Sequence, residues 1–352
     1  MNFALSHTKI QSQNLTLFGF GLVLVLVLIA SLSLGAFSIP FPQTLAILFE
    51  QIGITTGTFE AQQANVLLQI RMPRVLMAML VGGGLGIAGA ALQGMFRNPL
   101  VEPGLIGVST GSALFAVIFM VLVPTVSSLA WIKTLGLPLF SFLGGLICVT
   151  AVYQLSKSQG RTDAATLILA GVAINALAAA LIGLVLFFAD DSALRSFTFW
   201  SLGDLGGATW EKFPITLILI SVPSILILLN SRQLNALALG EQEAFHMGVN
   251  VQQVKITLLV CSALVVGVGV SMVGMIGFVG LVVPHLIRIL FGADHRLVLP
   301  GSFLLGAILL NFADLIARVI VIPAEMPIGV ITALIGAPFF IWLIFNLNKT
   351  KH

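Results

Sequence analysis

The sequence predicts an all-α integral membrane protein of ten transmembrane helices with both termini cytoplasmic, and three observations lead there. Only 16 Lys+Arg and 13 Asp+Glu occur in 352 residues, 8% of the chain, against about 25% in a soluble domain. Hydrophobic residues make up 58%, more than one core can bury, so in water the chain would expose apolar patches far beyond a few hundred Å². The apolar residues also come in runs of roughly 20, the length that crosses a hydrocarbon core of about 30 Å. Together these exclude a soluble enzyme and a nucleic-acid-binding module. A disulfide scaffold is excluded as well, because Cys148 and Cys261 both sit inside apolar runs.

The first run, Leu15 to Ile39, outlasts the roughly 7–15 apolar residues of a signal peptide and is read as an uncleaved first span. Val75 to Phe96, Leu105 to Leu129, Leu135 to Leu155, Ala164 to Ala189 and Phe213 to Leu229 follow. Ile256 to Leu290 is too long for one crossing and carries Gly274, Gly277 and Gly280 near its middle. It therefore divides into Ile256 to Val273 and Ile276 to Leu290. Leu297 to Ile322 and Ile328 to Leu347 complete ten. The positive-inside rule favours this division. Ten spans place Lys9, Arg97, Lys157, Arg161, Arg232, Lys255, Arg288, Arg296, Lys349 and Lys351 inside, and Arg71, Arg74, Lys133, Arg195, Lys212 and Arg318 outside. Nine spans would reverse that bias.

No linker, composition shift, low-complexity tract or clear internal repeat divides the chain, so residues 1–352 read as a single membrane domain. Gly82, Gly83, Gly84, Gly86 and Gly89 crowd the second span. Small residues four apart let helix backbones touch, which puts that span inside the bundle; packing and a role in the pathway are equally open readings. Two polar stretches are long enough to hold structure: Asp190 to Lys212 outside and Ser231 to Asn250 inside. The inner one is rich in Ala, Leu, Glu and Gln with stops at Gly240 and Gly248, the pattern of two short helices forming a docking surface.

Chemistry is sparse. A P-loop needs a Gly-Lys pair to hold phosphates, and none occurs, so any ATP hydrolysis belongs to another chain. The histidines His7, His246, His285, His295 and His352 are isolated, which leaves no metal-ligand set. Gly107-Val108-Ser109-Thr110-Gly111 matches a nucleophile elbow in letters only, since no strand precedes Ser109. Asp314 and Arg318, four apart on an apolar helix, share a face and can pair. Ionisable groups there are costly and point to function.

Longer motifs say more. Arg71-Met72-Pro73-Arg74 opens the second span, and Gln93 through Asn98-Pro99-Leu100-Val101-Glu102-Pro103 to Gly107-Val108-Ser109 follows it. Further on come Leu239-Gly240-Glu241 to Ala244 and Gly248, then Gly277-Phe278-Val279-Gly280-Leu281 to Pro284-His285, then Asp294-His295-Arg296. Ala313-Asp314 to Ala317-Arg318 and Pro323-Ala324-Glu325-Met326-Pro327 close the set. In these motifs the chain resembles the permease subunits of iron-siderophore, haem and cobalamin ABC importers, the FecCD family. Val101 and Met247 depart from that pattern, where Ala and Leu are usual.

The resemblance implies two permease subunits side by side, identical or paralogous, with a path between them in the cell inner membrane. It implies two cytoplasmic ATP-binding subunits, an external substrate-binding protein, and no cofactor on this chain, ATP being used by the partner. Coupling to the ATPase falls on residues 231–250, with Leu239, Gly240, Glu241, Ala244 and Gly248 as the matching positions. Docking of the binding protein falls on Arg71 and Arg318. Gly82, Gly86, Asn98, Pro99 and Asp314 are pathway or packing candidates. The expected cargo is an iron chelate, a ferric siderophore first and haem or cobalamin as alternatives. An ion-coupled secondary carrier remains as a different class.

Overall fold

The structure, a computed structural model, describes residues 2–55, 57–122, 132–158, 161–162 and 164–349. The chain runs α1 (Asn2–Ser33), α2 (Phe41–Glu50), α3 (Ala61–Asn65), a π-helical turn (Val66–Arg71) and α4 (Met72–Phe96). A 3-10 turn (Pro103–Ile106), α5 (Val108–Leu122), a second π turn (Ile132–Gly136) and α6 (Leu137–Leu155) follow. A minimal antiparallel hairpin, β1 (Lys157–Ser158) and β2 (Arg161–Thr162), leads to α7 (Ala164–Phe187) and α8 (Asp191–Ser201). The rest is α9 (Phe213–Leu229), α10 (Ser231–Leu239), α11 (Glu241–His246), α12 (Val251–Val273), α13 (Val279–Phe291), α14 (His295–Val319) and α15 (Ile328–Lys349).

Ten spans is an overcount. Among the described residues six helices are long and apolar enough to cross a membrane: Gln13–Ser33, Ala61–Phe96, Leu137–Leu155, Ala165–Phe187, Val251–Val273 and His295–Val319. A seventh exists only if α9 and α10, bent by 50°, count as one. Val108–Leu122, Val279–Phe291 and Ile328–Trp342 are apolar but too short.

The physical reason is that apolar runs continue through breaks that a helix cannot cross. Left-handed backbone at Gly274 (φ 76) and Phe278 (φ 68) ends α12, so the run Ile276 to Leu290 yields a helix of 13 residues. Likewise Gly107 (φ 84) closes the 3-10 turn, and the third run becomes helical only at Val108. Irregular backbone at such points is tolerated where protein rather than lipid surrounds it. Residues 123–131, which close the third run, lie outside the described residues, as do Lys351 and the side chains of Lys9, Lys133, Arg161 and Lys349 from the charge count. The cytoplasmic placement of both termini follows from a count of ten and loses its basis with it.

The axis of the molecule is α4, buried on every face from Val81 to Met95 and packed against α14, α12, α13 and α9. Its glycines make this possible. A side chain at Gly82 or Gly86 would run into the backbone of Gly306 or Ser302 on α14, and one at Gly89 into Gly280. Without a hydrophobic force between helices in lipid, this close approach gives the dispersion contact that holds them. The outer helices differ. On α7, Leu169, Leu177, Leu184 and Phe187 are exposed, a surface for lipid or another chain.

Candidate functional site

The antiparallel pair α4 and α14 has charged groups at both ends. At the first end the π turn runs into α4 without a break; Pro73 has no N–H to give, the Leu68 carbonyl accepts from Trp210 Nε1 at 2.8 Å instead, and Arg74 one residue further on faces α14. Asp314 on α14 is completely buried and takes Nε and Nη2 of Arg74 on a single oxygen, Oδ1, each at 2.9 Å. Its other oxygen, Oδ2, lies 2.9 Å from Arg318 Nε, a close charge contact rather than an aligned hydrogen bond. Arg74 Nη1 then donates to Glu325 Oε2 at 2.8 Å, tying down the loop before α15.

Arg71 and Arg318 converge on the end of α1, whose last carbonyls have no partner within the helix. Arg71 donates to the carbonyls of Leu32 at 2.7 Å and Ser33 at 2.8 Å, and to that of Phe37. Arg318 reaches the Ser31 carbonyl at 3.0 Å and its hydroxyl at 2.6 Å, with Leu34 at 3.4 Å. Both arginines are buried, at 4% and 6% exposure, so neither guanidinium is presented to an incoming protein. Beside them a hollow of about 600 Å³ is lined by Met120, Phe199, Trp200, Lys212, Glu325 and Met326, among others.

At the opposite end α10 and α11 meet at Gly240, whose φ of 139 suits glycine alone; Gly248, at φ 82, ends the second helix. Ala244 is fully buried, while Leu239, Phe245 and Met247 are exposed. Glu241 pairs with Lys255 of α12 at 2.5 Å on the wall of an open groove of about 1120 Å³ that Phe245, His246 and Gly248 also line. Of the exposed apolar residues Phe245 lies in the groove itself.

A polar cluster ties this end to the bundle. Asn235 of α10 donates to Asp294 Oδ1 at 2.8 Å and accepts from the His295 backbone N–H at 2.9 Å, with His295 Nδ1 at 2.8 Å. Asp294 accepts from Gln13 of α1 at 3.3 Å and from the Arg296 N–H at 3.0 Å, capping α14. Arg288 of α13 reaches Gln93 and the Ala90 carbonyl of α4.

The structure thus gathers Arg71, Asp314 and Arg318 at one end and Leu239, Gly240, Glu241, Ala244 and Gly248 at the other. Gly82 and Gly86 lie between them, at the α4–α14 contact. Asn98 and Pro99 are exposed in the turn after α4, where Asn98 Oδ1 accepts the Leu100 N–H at 3.0 Å. They meet neither cluster. Arg74 and Glu325 were missed as site residues although both stand in quoted motifs; Arg74 lies 240 residues from its partner Asp314 and 251 from its partner Glu325. For Asn235 and Gln13 the sequence carries no signal, and for Asp294 only the Asp-His-Arg triplet.

Comparison with known proteins gives the family. Residues 23–346 match the model of the FecCD transport family. The chain is 46% identical over 292 residues to the hemin transport system permease protein HmuU of Yersinia pestis, covering 82% of this chain and 85% of that one. It is 40% identical over 275 residues to the cobalamin import system permease protein BtuC of Halobacterium salinarum, covering 78% and 72%. A solved structure described as an inward-facing conformation of a metal-chelate type ABC transporter superposes with a TM-score of 0.80 at 35% identity, covering 94% of this chain and 98% of that one.

Proposed function

Because the chain belongs to the FecCD transport family, as a multi-pass inner-membrane permease subunit of an ABC importer, we propose that its cargo is a metal chelate of the tetrapyrrole class, haem or cobalamin. The observation that carries this is the pair of relatives named for hemin and cobalamin, each matched over more than two thirds of both chains. It favours haem or cobalamin over the ferric siderophore expected from the motifs. The chain is the permease and not the ATPase of its importer. In this reading a second permease subunit, two ATP-binding subunits and a substrate-binding protein complete the transporter.

The ATPase seats on residues 231–250. The broken pair α10–α11 supplies the shape: Leu239 and Glu241 flank the break at Gly240, Ala244 anchors α11 from below, and Gly248 ends it. The binding protein docks at the opposite end. There Arg71 and Arg318 act from beneath the contact by fixing the end of α1, and the exposed charge nearest them is Glu325 on Arg74. Proteoliposomes holding the full transporter test the cargo: ATP-driven uptake of hemin or cyanocobalamin is expected, with no competition from a ferric siderophore. Uptake of the siderophore alone would refute the reading.

A further inference from the structure

The region proposed to seat the ATPase and the buried charges at the far end are joined by a continuous set of short contacts. It begins at Asn235. Its Oδ1 must face His295, because the backbone N–H there needs an acceptor and a reversed amide would set donor against donor; with that orientation Nδ1, 2.8 Å away, is the nitrogen that can donate to the same oxygen. Its Nδ2 then points at Asp294. The side chain has no rotation left that keeps these bonds. Its neighbour Leu234 is fully buried, and Gly94 of α4 leaves the space into which both His295 and Leu234 fit. A methyl on Gly94 would stand 2.5 Å from His295 Nε2 and 3.0 Å from Leu234. So α10 is keyed to the start of α14 and to the end of α4 at once.

From there α14 runs 25 residues, about 37 Å at 1.5 Å per residue. Its Ser302 and Gly306 meet Gly86 and Gly82 of α4 backbone to backbone, with no side chain between them to change rotamer. Packed surfaces of this kind move together rather than deform. At the far end Asp314 and Arg318 take Arg74 and the α1 carbonyls, and Arg74 holds the Glu325 loop.

We infer that Asn235, with Asp294 and His295, is the joint through which α10 moves α14 and, through the α14–α4 pair, the Arg74–Glu325 end. These are positioning residues. They touch neither ATP nor cargo, and the inference rests on the reading that the ATPase seats on residues 231–250.

The test uses the assembled transporter in nanodiscs with hemin-loaded binding protein, and reads hemin moved per ATP hydrolysed. Asn235→Leu removes all three bonds at similar volume, and Asn235→Asp sets a second carboxylate against Asp294. The ratio should fall at least about tenfold in both, the loss of a single buried hydrogen bond setting the lower bound where three are disturbed. Combining Asn235→Asp with Asp294→Asn restores a donor–acceptor pair and should recover part of it. An unchanged ratio in Asn235→Leu overturns the inference, as does a combination no better than Asn235→Asp alone. Loss of ATPase co-purification in step with the ratio also overturns it, since Asn235 would then only prop the docking surface. Failure of the wild-type chain to hold an ATPase through residues 231–250, shown by cross-linking, would instead defeat the underlying reading.

Discussion

Replacing Gly82 by alanine tests the α4–α14 contact directly. A methyl there would lie 2.6 Å from Leu310 Cβ and 3.0 Å from the Gly306 carbonyl carbon, with the carbonyl oxygen nearer still. Ordinary carbon contacts sit at about 3.5–4.0 Å, so α14 must retreat by about 1 Å. A gap of that size forfeits a quarter to a half of each dispersion well along the contact. Overpacking costs about 1–3 kcal/mol, and the upper part applies because backbone, not a flexible side-chain end, blocks the way. Alanine's better helix propensity returns about 1 kcal/mol, leaving a net loss of about 2 kcal/mol. Thermal unfolding of the purified chain in detergent should show a fall of about 3 °C. The matched control is Gly183→Ala on α7, where nothing lies within 4 Å; it should melt at or above the wild type. If Gly82→Ala melts as high as that control, the helices do not touch at Gly82 and the argument fails.

Three further outcomes follow from the charged groups. Asp314→Asn leaves Arg74 and Arg318 buried without their shared carboxylate and should cost about 3–5 kcal/mol, while Glu325→Gln, at a half-exposed carboxylate, should cost less than about 1 kcal/mol; equal losses on unfolding would contradict the geometry. Burial holds the Glu102 carboxyl above its usual range despite the Phe278 N–H it accepts. The protonated form is therefore the stabilising one, complete below the ordinary carboxylate range and lost as pH rises through the folded value. Glu102→Gln should melt higher than wild type near about pH 8 and converge with it near about pH 4. For Asp294 burial pushes upward, but the Arg296 N–H, Asn235, Gln13 and the Arg296 charge prevail and hold it low. Its contribution is present above the ordinary carboxylate range and is lost as pH falls through the folded value, below about pH 4. Wild type should lose melting temperature more steeply there than Asp294→Asn; parallel curves would remove Asp294 from the acid response.

What could be read in the sequence was local. Runs of apolar residues located the helices, the Ser231 to Asn250 composition gave two short ones broken at Gly240, and the four-residue spacing of Asp314 and Arg318 placed them on one face. Spans were overcounted because hydropathy has no term for the direction of the backbone: Phe278 is as apolar as its neighbours yet sits at φ 68, and α13 begins only after it. Side-chain direction was equally hidden. Arg71 stands at a helix start in a motif that suggests an outward charge. Only the arrival of α1 beside it turns it inward, a contact set by residues 38 and 39 positions away. Asn235 and Asp294, 59 residues apart, carry no shared pattern at all.

The clamp on α1 also bears on how the protein is made. Synthesis proceeds from the N-terminus, so α1 enters the bilayer early, and Arg71 follows soon enough to take the carbonyls of Leu32 and Ser33. The Ser31 carbonyl waits for Arg318, which lies 287 residues downstream. In hydrocarbon no water can stand in for the missing donor. Until α14 is made, the nascent chain carries the end of α1 with that carbonyl unpaired, and a product terminated before α14 carries it permanently. A chain that reaches α14 thus differs from one that stops short of it by a helix end that Arg318 alone closes at Ser31.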